Sequence, residues 1–465
     1  MTREADRRRR SVAWIGGVVL VVSSIACTAT PPAAADQSTG SPAPTAPPSS
    51  DAPSAPPSQP PSVGEIELAK ADVARSPASE ADAEAAGAAI NAFAFDVHRK
   101  LAEGGGNVVF SPASIAIALG MARAGAVGET AIEMDGVLYA VASDEHANWL
   151  NALDQALAQR SGTFEDDDGT AHEVTLDIAN AYFAQRGFGF QPTFLDALAA
   201  RFGAGMQLVD FATDPEAARI LINSWAKERT RERIPEVLRP GDVTPLTRLA
   251  LVNAIYLKAP WQRPFIVDRT TTEDFRRPDG SIVKVPTMHA FDNVGCAVGP
   301  DWGAFELGYI GTKLSMLVIV PDDLDAFEAR LDPAAFDAVV RTVRAEVAMP
   351  TVSLPRFDVE TRAELVPILR DLGMPRAFDE SRADFSGIST EAPLHISKVI
   401  HQANISVDEK GTEAAAVTVV GVDTTGGASD TCTVAANRPF LYAVRDIETG
   451  VILFMGRVVD PTAAG

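Results

Sequence analysis

The sequence has few histidines and lacks the short motifs that usually identify an enzyme. Its 465 residues contain no H-E-x-x-H, G-x-S-x-G, Walker or C-x-x-C sequence. Six histidines and many serines and aspartates would allow a catalytic triad on paper, but so would any chain of this size. The acidic run at residues 165–168 lacks the alternating spacing of an EF-hand loop. We therefore expect a solvated loop there, no metal, no cofactor and no enzyme; a hydrolase with an unrecognised site is the remote alternative.

Basic residues are also scarce. There are 40 Lys and Arg against 62 Asp and Glu, which gives a formal net charge of −22. Nucleic acids and anionic membrane surfaces bind clustered Lys and Arg, so this balance opposes both classes of partner. It favours approach to basic proteins over acidic ones.

The N-terminus reads as a targeting segment. A basic cluster at residues 7–10 precedes an apolar run at residues 12–25, which is too short for a typical membrane-spanning helix. The run ends in Ser-Ile-Ala-Cys, which resembles a bacterial lipobox with Ser24 where Leu is usual. Residues 1–27 are therefore predicted to be a signal peptide whose cleavage leaves Cys27 as the lipid-bearing residue. Simple secretion and an uncleaved anchor are the alternatives.

The next segment, residues 28–81, is rich in Pro, Ala, Ser and Thr and has few large apolar residues. Such a composition cannot bury enough apolar surface to offset the entropy of ordering the backbone. We predict a disordered tether here, with recognition of a Pro-rich segment by a partner as the lesser alternative.

The cysteines are three in number. If Cys27 carries lipid, only Cys296 and Cys432 remain, and Cys432 lies on a predicted mobile loop. This predicts no disulfide framework and an exposed bystander thiol at Cys432, with a redox role for that thiol as the lesser alternative.

The folded domain is predicted at residues 82–465. Apolar residues at helical spacing begin it, and Gly104 ends that helix. Near-continuous apolar strands follow at residues 249–257 and 314–320, with helical patterns at 215–233 and 363–372. Two strands at residues 440–445 and 451–459 flank a turn, which indicates a hairpin. The fold class is α+β with large mixed β-sheets and surrounding helices.

One long stretch, residues 408–439, follows a strand of alternating apolar and polar residues at 399–408. Between Lys410 and Arg438 it has no Lys, Arg or aromatic residue, so we expect a long exposed loop, which is usually functional. Its first half could still pair as a strand that has not been inserted. One face of that strand would carry only small residues, which are Thr412, Ala414, Ala416, Thr418 and Val420.

Six sequence blocks in the same order resemble the serpins, the serine protease inhibitor family. They are NVVFSPASI at 107–115 with AGA at 124–126 and Thr130, INSW at 222–225, NAIYLKAPWQRPF at 253–265, ADFSGIS at 383–389, the hinge DEKGTEAAA at 408–416, and RPF at 438–440 with FMGRV at 454–458 and DP at 460–461. The resemblance covers nearly the whole folded domain. It implies a serpin-like fold with an exposed reactive loop in a monomer.

The resemblance also assigns roles to particular residues. The hinge of the reactive loop would be Glu409, Gly411, Thr412, Glu413, Ala414, Ala415 and Ala416. A polar cluster called the shutter, where the central sheet must part, would be Ser111, Ser114, Asn253 and His401. A salt bridge between Glu409 and Arg356 beside Trp261 would close the top of the sheet, a region called the breach.

The implied mechanism is that of a suicide substrate. A serine protease would cut the loop and form an acyl-enzyme, and the hinge strand would insert into the central sheet before deacylation. The inward face Thr412, Ala414 and Ala416 offers no Pro or charge to slow insertion, which favours an inhibitor. The alternative is a non-inhibitory serpin-fold binding protein whose loop is cleaved without trapping.

The bond that the protease would cut is called the bait bond. The usual hinge length of the family places it between Thr425 and Gly426. Val422, Asp423, Thr424 and Ser429 are alternatives for the residue before the cut. A loop without basic residues, aromatics, Leu or Met disfavours trypsin-like and chymotrypsin-like targets. Elastase-like or subtilisin-like proteases with small pockets fit better, and Asp423 leaves an Asp-directed protease open.

Overall fold

The structure is a computed structural model that describes residues 66–463, except residues 142, 167, 291–293, 312, 346–349 and 413–431. The predicted signal segment, with Cys27, lies outside the described residues. Within these ranges no helix combines the length and the apolar character needed to cross a bilayer.

Helices surround the sheets of the described domain. In chain order they are α1 Glu80–Ala102, α2 Pro112–Arg123, α3 Gly128–Val137, α4 Ser143–Leu157, α5 Pro192–Phe202, α6 Pro215–Arg229, α7 Leu324–Glu328, α8 Pro333–Ala345 and α9 Val366–Leu372. The side chain of Ser79 caps α1 by accepting a hydrogen bond from the amide of Asp82. The predicted first helix is therefore confirmed.

Strands form the interior of the domain. In chain order they are β1 Glu67–Ala69, β2 Val108–Phe110, β3 Gly162–Glu165, β4 Ala171–Gln185, β5 Met206–Val209, β6 Leu249–Pro260, β7 Thr271–Arg276, β8 Ile282–Ala290, β9 Gly295–Val298, β10 Trp302–Gly308, β11 Leu314–Pro321, β12 Thr351–Pro355, β13 Phe357–Glu364, β14 Val399–Asp408, β15 Gly411–Thr412, β16 Thr433–Ala435, β17 Phe440–Asp446 and β18 Ile452–Val458.

The described strands make three sheets. The central sheet has the order β1-β5-β4-β6-β15-β14-β13, with β3 paired to β4; a second sheet has the order β2-β18-β17-β11-β10-β9, and a third β16-β12-β8-β7. The central sheet is mixed, because β4 pairs parallel to β5 but antiparallel to β6. The predicted α+β class with large mixed sheets is confirmed, as is the hairpin of β17 and β18.

Two apolar cores lie against the central sheet. The larger one joins α1 and α2 to the inner faces of the sheets, and it includes Phe93, Phe110 and Trp261. The smaller one lies between the sheet and α6 with the chain that follows it. Val252 of β6 and Ile400 of β14 both belong to this smaller core. α6 and its connection therefore cover the place where those two strands meet.

The predicted helix at residues 363–372 begins too early. The structure places the first two of these residues in β13 and starts α9 at Val366. β13 is continued by its pairing with β14, in which Glu364 lies opposite Ile400. Pairing with β14 thus extends β13 into a segment whose sequence pattern predicts a helix.

The predicted tether extends too far at its C-terminal end. Residues 67–69 form β1, which pairs antiparallel with β5 at the edge of the central sheet. The Arg75 side chain then donates hydrogen bonds to Asn151 and Asp154 of α4 at 3.0 and 2.5 Å. We call residues 66–79 the N-terminal arm. Its composition resembles that of a tether, but it is ordered by backbone and side-chain groups that the domain supplies.

A disulfide joins Cys296 and Cys432, so the expectation of an exposed thiol and no disulfide is wrong. The two Cα atoms lie 6.0 Å apart although 136 residues separate them in sequence. Cys296 is fully buried in β9, and Cys432 is partly buried just before β16. Because β9 and β16 belong to different sheets, their proximity arises only when the sheets pack, and sequence spacing does not show it.

Candidate functional site

The site is the seam between β6 and β14 in the central sheet. At one end these strands pair directly and in parallel, with Val399 opposite Leu251 and Gln402 opposite Ala254. At the other end β15 lies between them and pairs antiparallel with both. The sheet is therefore closed at one end and opened by a third strand at the other.

β15 is the beginning of the predicted hinge. Thr412 lies opposite Ala259 on one side and Val407 on the other. The prediction that this strand has not been inserted is thus wrong for its first two residues. Glu413 and Ala414, Ala415 and Ala416 lie outside the described residues.

Gly411 fits this place because it has no side chain. Its φ of +148° is a conformation that other residues rarely adopt. A Cβ atom there would lie 2.2 Å from the carbonyl oxygen of Ala259. Any other residue at position 411 would force β15 or the backbone of β6 to shift.

Thr412 points into the molecule, as the predicted small face requires. Only 1% of its surface is exposed, and its hydroxyl lies 2.7 Å from that of Tyr309. The Tyr309 ring stacks on Trp261, with ring centroids 4.5 Å apart. Burial raises the pKa of Tyr309 well above its ordinary value, so the phenol stays neutral and able to donate.

The breach residues also lie together, as predicted. Trp261 is buried, and its indole nitrogen donates to the carbonyl oxygen of Asp408 at 2.9 Å. The guanidinium of Arg356 contacts both carboxylate oxygens of Glu409, at 2.5 to 2.9 Å. Thr270 donates a further hydrogen bond to this carboxylate. These contacts hold the residues just before β15 against the top of the sheet.

Glu409 is charged within this contact. Burial alone would raise the pKa of its carboxyl group, but hydrogen bonds from Arg356 and Thr270 outweigh burial and lower the pKa below its ordinary value. Glu409 is almost fully buried, whereas 44% of the Arg356 side chain is exposed. The pair is therefore half-solvated, and its strength lies between that of a surface and a buried ion pair.

The four shutter residues form one hydrogen-bonded cluster. His401 and Asn253 lie opposite each other across the seam, with 2.8 Å between His401 Nδ1 and Asn253 Oδ1. The Asn253 amide nitrogen donates to Ser114 Oγ and to Asn180 Oδ1. Ser111 accepts from the amide of Ser114 and so caps α2. The cluster ties the helix beneath the sheet to both strands of the seam.

The tautomer of His401 follows from its partners. The backbone amide of Ser111 donates to His401 Nε2 at 3.0 Å, so this nitrogen is an acceptor. Nδ1 must then carry the proton and donate it to Asn253. Burial lowers the pKa of His401 to about 3, and the ring is neutral at physiological pH.

The remaining predicted site residues are not placed. Val422, Asp423, Thr424, Thr425, Gly426 and Ser429 all lie outside the described residues. The described chain resumes at Cys432, which is bonded to Cys296. Nineteen residues therefore separate Thr412 from the disulfide.

Three contributors to the site had no sequence prediction, and one of them is Thr270, which donates to Glu409. Asn180 of β4 lies opposite Asn253, and Tyr309 supports Thr412 from below. A polar residue at position 180 within the otherwise apolar run 178–184 was an available signal for Asn180. Nothing local marks Tyr309. Within the described residues, no group of three or more His, Cys, Asp or Glu side chains could hold a metal ion.

Comparison with known proteins identifies the family. The model of the family described as Serpin (serine protease inhibitor) matches residues 88–461. The chain belongs to the serpin family. Its membership of a family of protease inhibitors agrees with the expectation that it is not an enzyme.

Several curated relatives match most of the chain. An uncharacterized serpin-like protein of Thermococcus kodakarensis is 37% identical over 377 residues, covering 80% of this chain and 85% of its own. Human Serpin B8 is 36% identical over 362 residues, with 76% and 93% covered. The leukocyte elastase inhibitor of Xenopus tropicalis is 34% identical over 386 residues, with 79% and 97% covered.

Solved structures share the fold. The thermophilic serpin tengpin in its native state superposes with a TM-score of 0.72 at 26% identity, covering 85% of this chain and all of its own. Uncleaved ovalbumin gives a TM-score of 0.70, also at 26% identity, with 81% and 99% covered. The predicted serpin fold is confirmed.

Proposed function

We propose that the protein inhibits serine proteases as a suicide substrate and traps them by inserting its hinge strand into the central sheet. The observation that carries this proposal is β15. Gly411 and Thr412 are already paired on both sides, at the open end of a seam that is closed further along. The next residues of the chain, 413–416, are Glu, Ala, Ala and Ala, and every second one would face inward as Thr412 does.

The register of β15 gives the length of the inserted strand. Each further residue moves one position along both neighbours, so Val420 would lie opposite Val399 and Val422 opposite Leu249. Continuing β15 to these positions requires the direct pairing of β6 and β14 to separate, and with it the contact between His401 and Asn253. The shutter cluster therefore lies at the point that insertion must open.

The proposed reaction begins as ordinary proteolysis. The serine hydroxyl of the protease attacks the carbonyl carbon of Thr425, and the amide bond to Gly426 breaks. The serine proton passes through the catalytic base of the protease to the departing Gly426 amine, and Thr425 remains as an ester on the serine. Insertion then carries the ester away before water hydrolyses it. The thirteen residues 413–425, at roughly 3.3 Å each, would move it by about 43 Å.

New strand pairing drives the displacement. Roughly a dozen additional hydrogen bonds, at about 0.5–1.5 kcal/mol net each, contribute on the order of 10 kcal/mol. That is enough to distort the active site of a protease, and misplacing its reacting groups by about 1 Å already slows catalysis by about a hundredfold.

The register also bears on the position of the bait bond. A cut after Val422 would leave the ester opposite Leu249, within the sheet, where an attached protease would block the last pairing. A cut after Thr425 leaves three further residues to clear the end of the sheet. This favours a cut after Thr425 over a cut after Val422. The preference over a cut after Asp423 or Thr424 is smaller, because fewer residues distinguish these positions.

The proposed targets are serine proteases with small specificity pockets. The loop lacks the basic and large apolar residues that trypsin-like and chymotrypsin-like enzymes select. Several relatives of about 32–34% identity carry the name leukocyte elastase inhibitor. Elastase-like and subtilisin-like enzymes are therefore the proteases to test.

We further propose that the protein is exported and, through Cys27, held on the outer face of the cell membrane by lipid. Simple secretion after cleavage of the signal peptide is the alternative. The disulfide between Cys296 and Cys432 supports export, because such bonds persist in oxidising compartments. Metabolic labelling with a fatty acid, compared between the wild type and Cys27→Ala, tests the anchor.

Denaturing gel electrophoresis after incubation with elastase or subtilisin tests the inhibitory function. We expect a complex of protein and protease that survives denaturation. Ala414→Pro should give a cleaved loop and an active protease, because Pro cannot pair on both sides of a central strand. Glu413→Arg is the matched control. It changes the neighbour of Ala414 that would face outward from the inserted strand, so this variant should still form the complex. Simple cleavage of the wild type by both proteases would instead indicate a non-inhibitory serpin.

A further inference from the structure

The disulfide lies where the described chain continues after residues 413–431. Cys432 directly precedes β16, a strand of three residues at the edge of the third sheet. Among the described strands β16 pairs only with β12, through three residue pairs, and the Cys432 carbonyl accepts a hydrogen bond from Thr351 at 2.8 Å. Three residue pairs hold a strand weakly, whereas the disulfide holds it covalently to the buried Cys296 of β9, the edge strand of the second sheet.

This anchor affects two kinds of insertion differently. When the loop is cut, the part beyond the cut separates from the inserting strand, so β16 can stay in place. When the loop is intact, the chain must run along the whole seam and then return to Cys432. Insertion after cleavage is therefore compatible with the disulfide. Insertion of the uncut loop, in contrast, would pull on the chain next to Cys432.

The remaining length of chain is too short for intact insertion. An inserted strand that reaches Val422 has moved ten positions beyond Thr412, about 33 Å. Residues 423–431 must then carry the chain back to Cys432 in ten Cα–Cα steps, which fully extended span about 33–36 Å and leave almost no slack. They must also turn around the end of the sheet. Complete insertion of the intact loop thus needs β16 to leave the third sheet, which would free residues 432–437.

We propose that the disulfide between Cys296 and Cys432 keeps β16 in the third sheet and so prevents the intact loop from inserting, and that its reduction lets the protein inactivate itself without cleavage. The inference rests on the proposed function, because the strand that inserts is the same. It adds a redox-sensitive control of how long the inhibitor stays active.

The reductant is a thiol compound or a dithiol protein. One thiolate attacks the Sγ atom of Cys432, which is less buried than Cys296, and Cys296 leaves as a thiolate that takes a proton. A second thiolate attacks the sulfur of the reductant in the mixed disulfide and releases Cys432. The reductant loses two electrons and becomes a disulfide, and the protein gains two thiols.

The test compares the full chain with a disulfide-free variant, Cys296→Ser with Cys432→Ser, both carrying Cys27→Ser so that no third thiol is present. Each is incubated below its unfolding temperature without protease. Conversion is followed as the appearance of an uncleaved monomer that resists heat, by intact mass, size-exclusion chromatography and melting. We expect conversion to be at least about tenfold faster in the disulfide-free variant. Dithiothreitol added to the folded, disulfide-bonded protein should accelerate it similarly.

The reduction of the already folded protein keeps the test decisive if the double variant does not fold. Conversion that is no faster after reduction, or a product that is aggregated rather than monomeric, overturns the inference. The nicked form of the disulfide-bonded protein separates this result from the proposed function. If nicking raises its melting temperature, the insertion mechanism stands and only the role of the disulfide fails. If nicking does not, the proposed function fails with it.

Discussion

The hydroxyl groups of Tyr309 and Thr412 lie 2.7 Å apart beneath the open end of the central sheet, and both side chains are buried. Thr412 is the last described residue of the hinge. Its hydroxyl is therefore the first polar group that insertion takes from water into the interior, and Tyr309 supplies its partner there.

Tyr309→Phe tests this contact. The variant leaves the Thr412 hydroxyl buried without a partner, and we expect the free energy of unfolding to fall by about 1–3 kcal/mol. Urea unfolding measures it. Thr412→Val in the Tyr309→Phe background removes both hydroxyls and should recover most of the loss. A double variant as unstable as the sum of the single ones would show that the two groups are not coupled.

The ion pair at the breach gives a prediction with a defined pH dependence. Arg356→Ala removes the guanidinium from the buried carboxylate of Glu409 and leaves it the hydrogen bond from Thr270, and we expect it to cost about 1–3 kcal/mol at pH 7. The estimate is below that for a buried pair because solvent screens the half-exposed Arg356.

The sign of this pH dependence follows from the lowered pKa of Glu409. Its contribution is present above the unfolded value of 4.5 and is lost as pH falls through the folded value. The cost of Arg356→Ala should therefore shrink as the medium is acidified below pH 4.5. Glu409→Gln is the matched variant, and Arg356→Ala in its background should have little effect at any pH. A cost that stays constant with pH would assign the role of Arg356 to packing alone.

The N-terminal arm gives a third prediction. Asn151 is fully buried, and its amide nitrogen donates to the carbonyl oxygens of Ser76 and Pro77 at 3.1 Å. Asn151→Asp keeps an acceptor for Arg75 but cannot donate, so the Pro77 carbonyl loses this hydrogen bond and the Ser76 carbonyl keeps the one from Gln155. We expect a loss of about 1–3 kcal/mol and faster proteolysis in residues 66–79.

The control for this prediction is a chain that lacks the arm. If the arm is held as described, Asn151→Asp should cost much less in a chain that begins at Ser79 than in one that begins at Ile66. An equal cost in both chains would place the effect within α4 and not in the arm.

The sequence predicts elements whose pattern is local and misses contacts made between elements. Alternation along β14 places His401 on its buried face, and the family motifs bring it to Asn253 across the seam. Nothing local places Cys432 against Cys296, because their strands belong to different sheets.

The hinge and the arm show the same limit in another form. Gly411 reads as part of a loop from its neighbours, yet its missing side chain lets it lie against the carbonyl of Ala259, between two strands. Arg75 lies in a stretch of tether-like composition, yet α4 holds it with Asn151 and Asp154. In both places the ordering groups are supplied by distant parts of the chain, and composition does not reveal them.

The shutter gives the last prediction, a dependence of stability on pH. Burial lowers the pKa of His401 from 6.5 to about 3, so between these values the unfolded chain binds a proton that the folded one does not. Stability should therefore fall as pH decreases from 6.5 towards 3, by up to about 1.4 kcal/mol per pH unit from this residue. Urea unfolding of His401→Gln should show a free energy of unfolding that falls less steeply with decreasing pH between 6.5 and 3, although the variant is less stable at pH 7. His146 is the matched control, since burial lowers its pKa to about 4, and His146→Gln should flatten the profile only above pH 4. If wild type and His401→Gln gave parallel profiles, the buried, neutral His401 would not be a source of the loss of stability in acid.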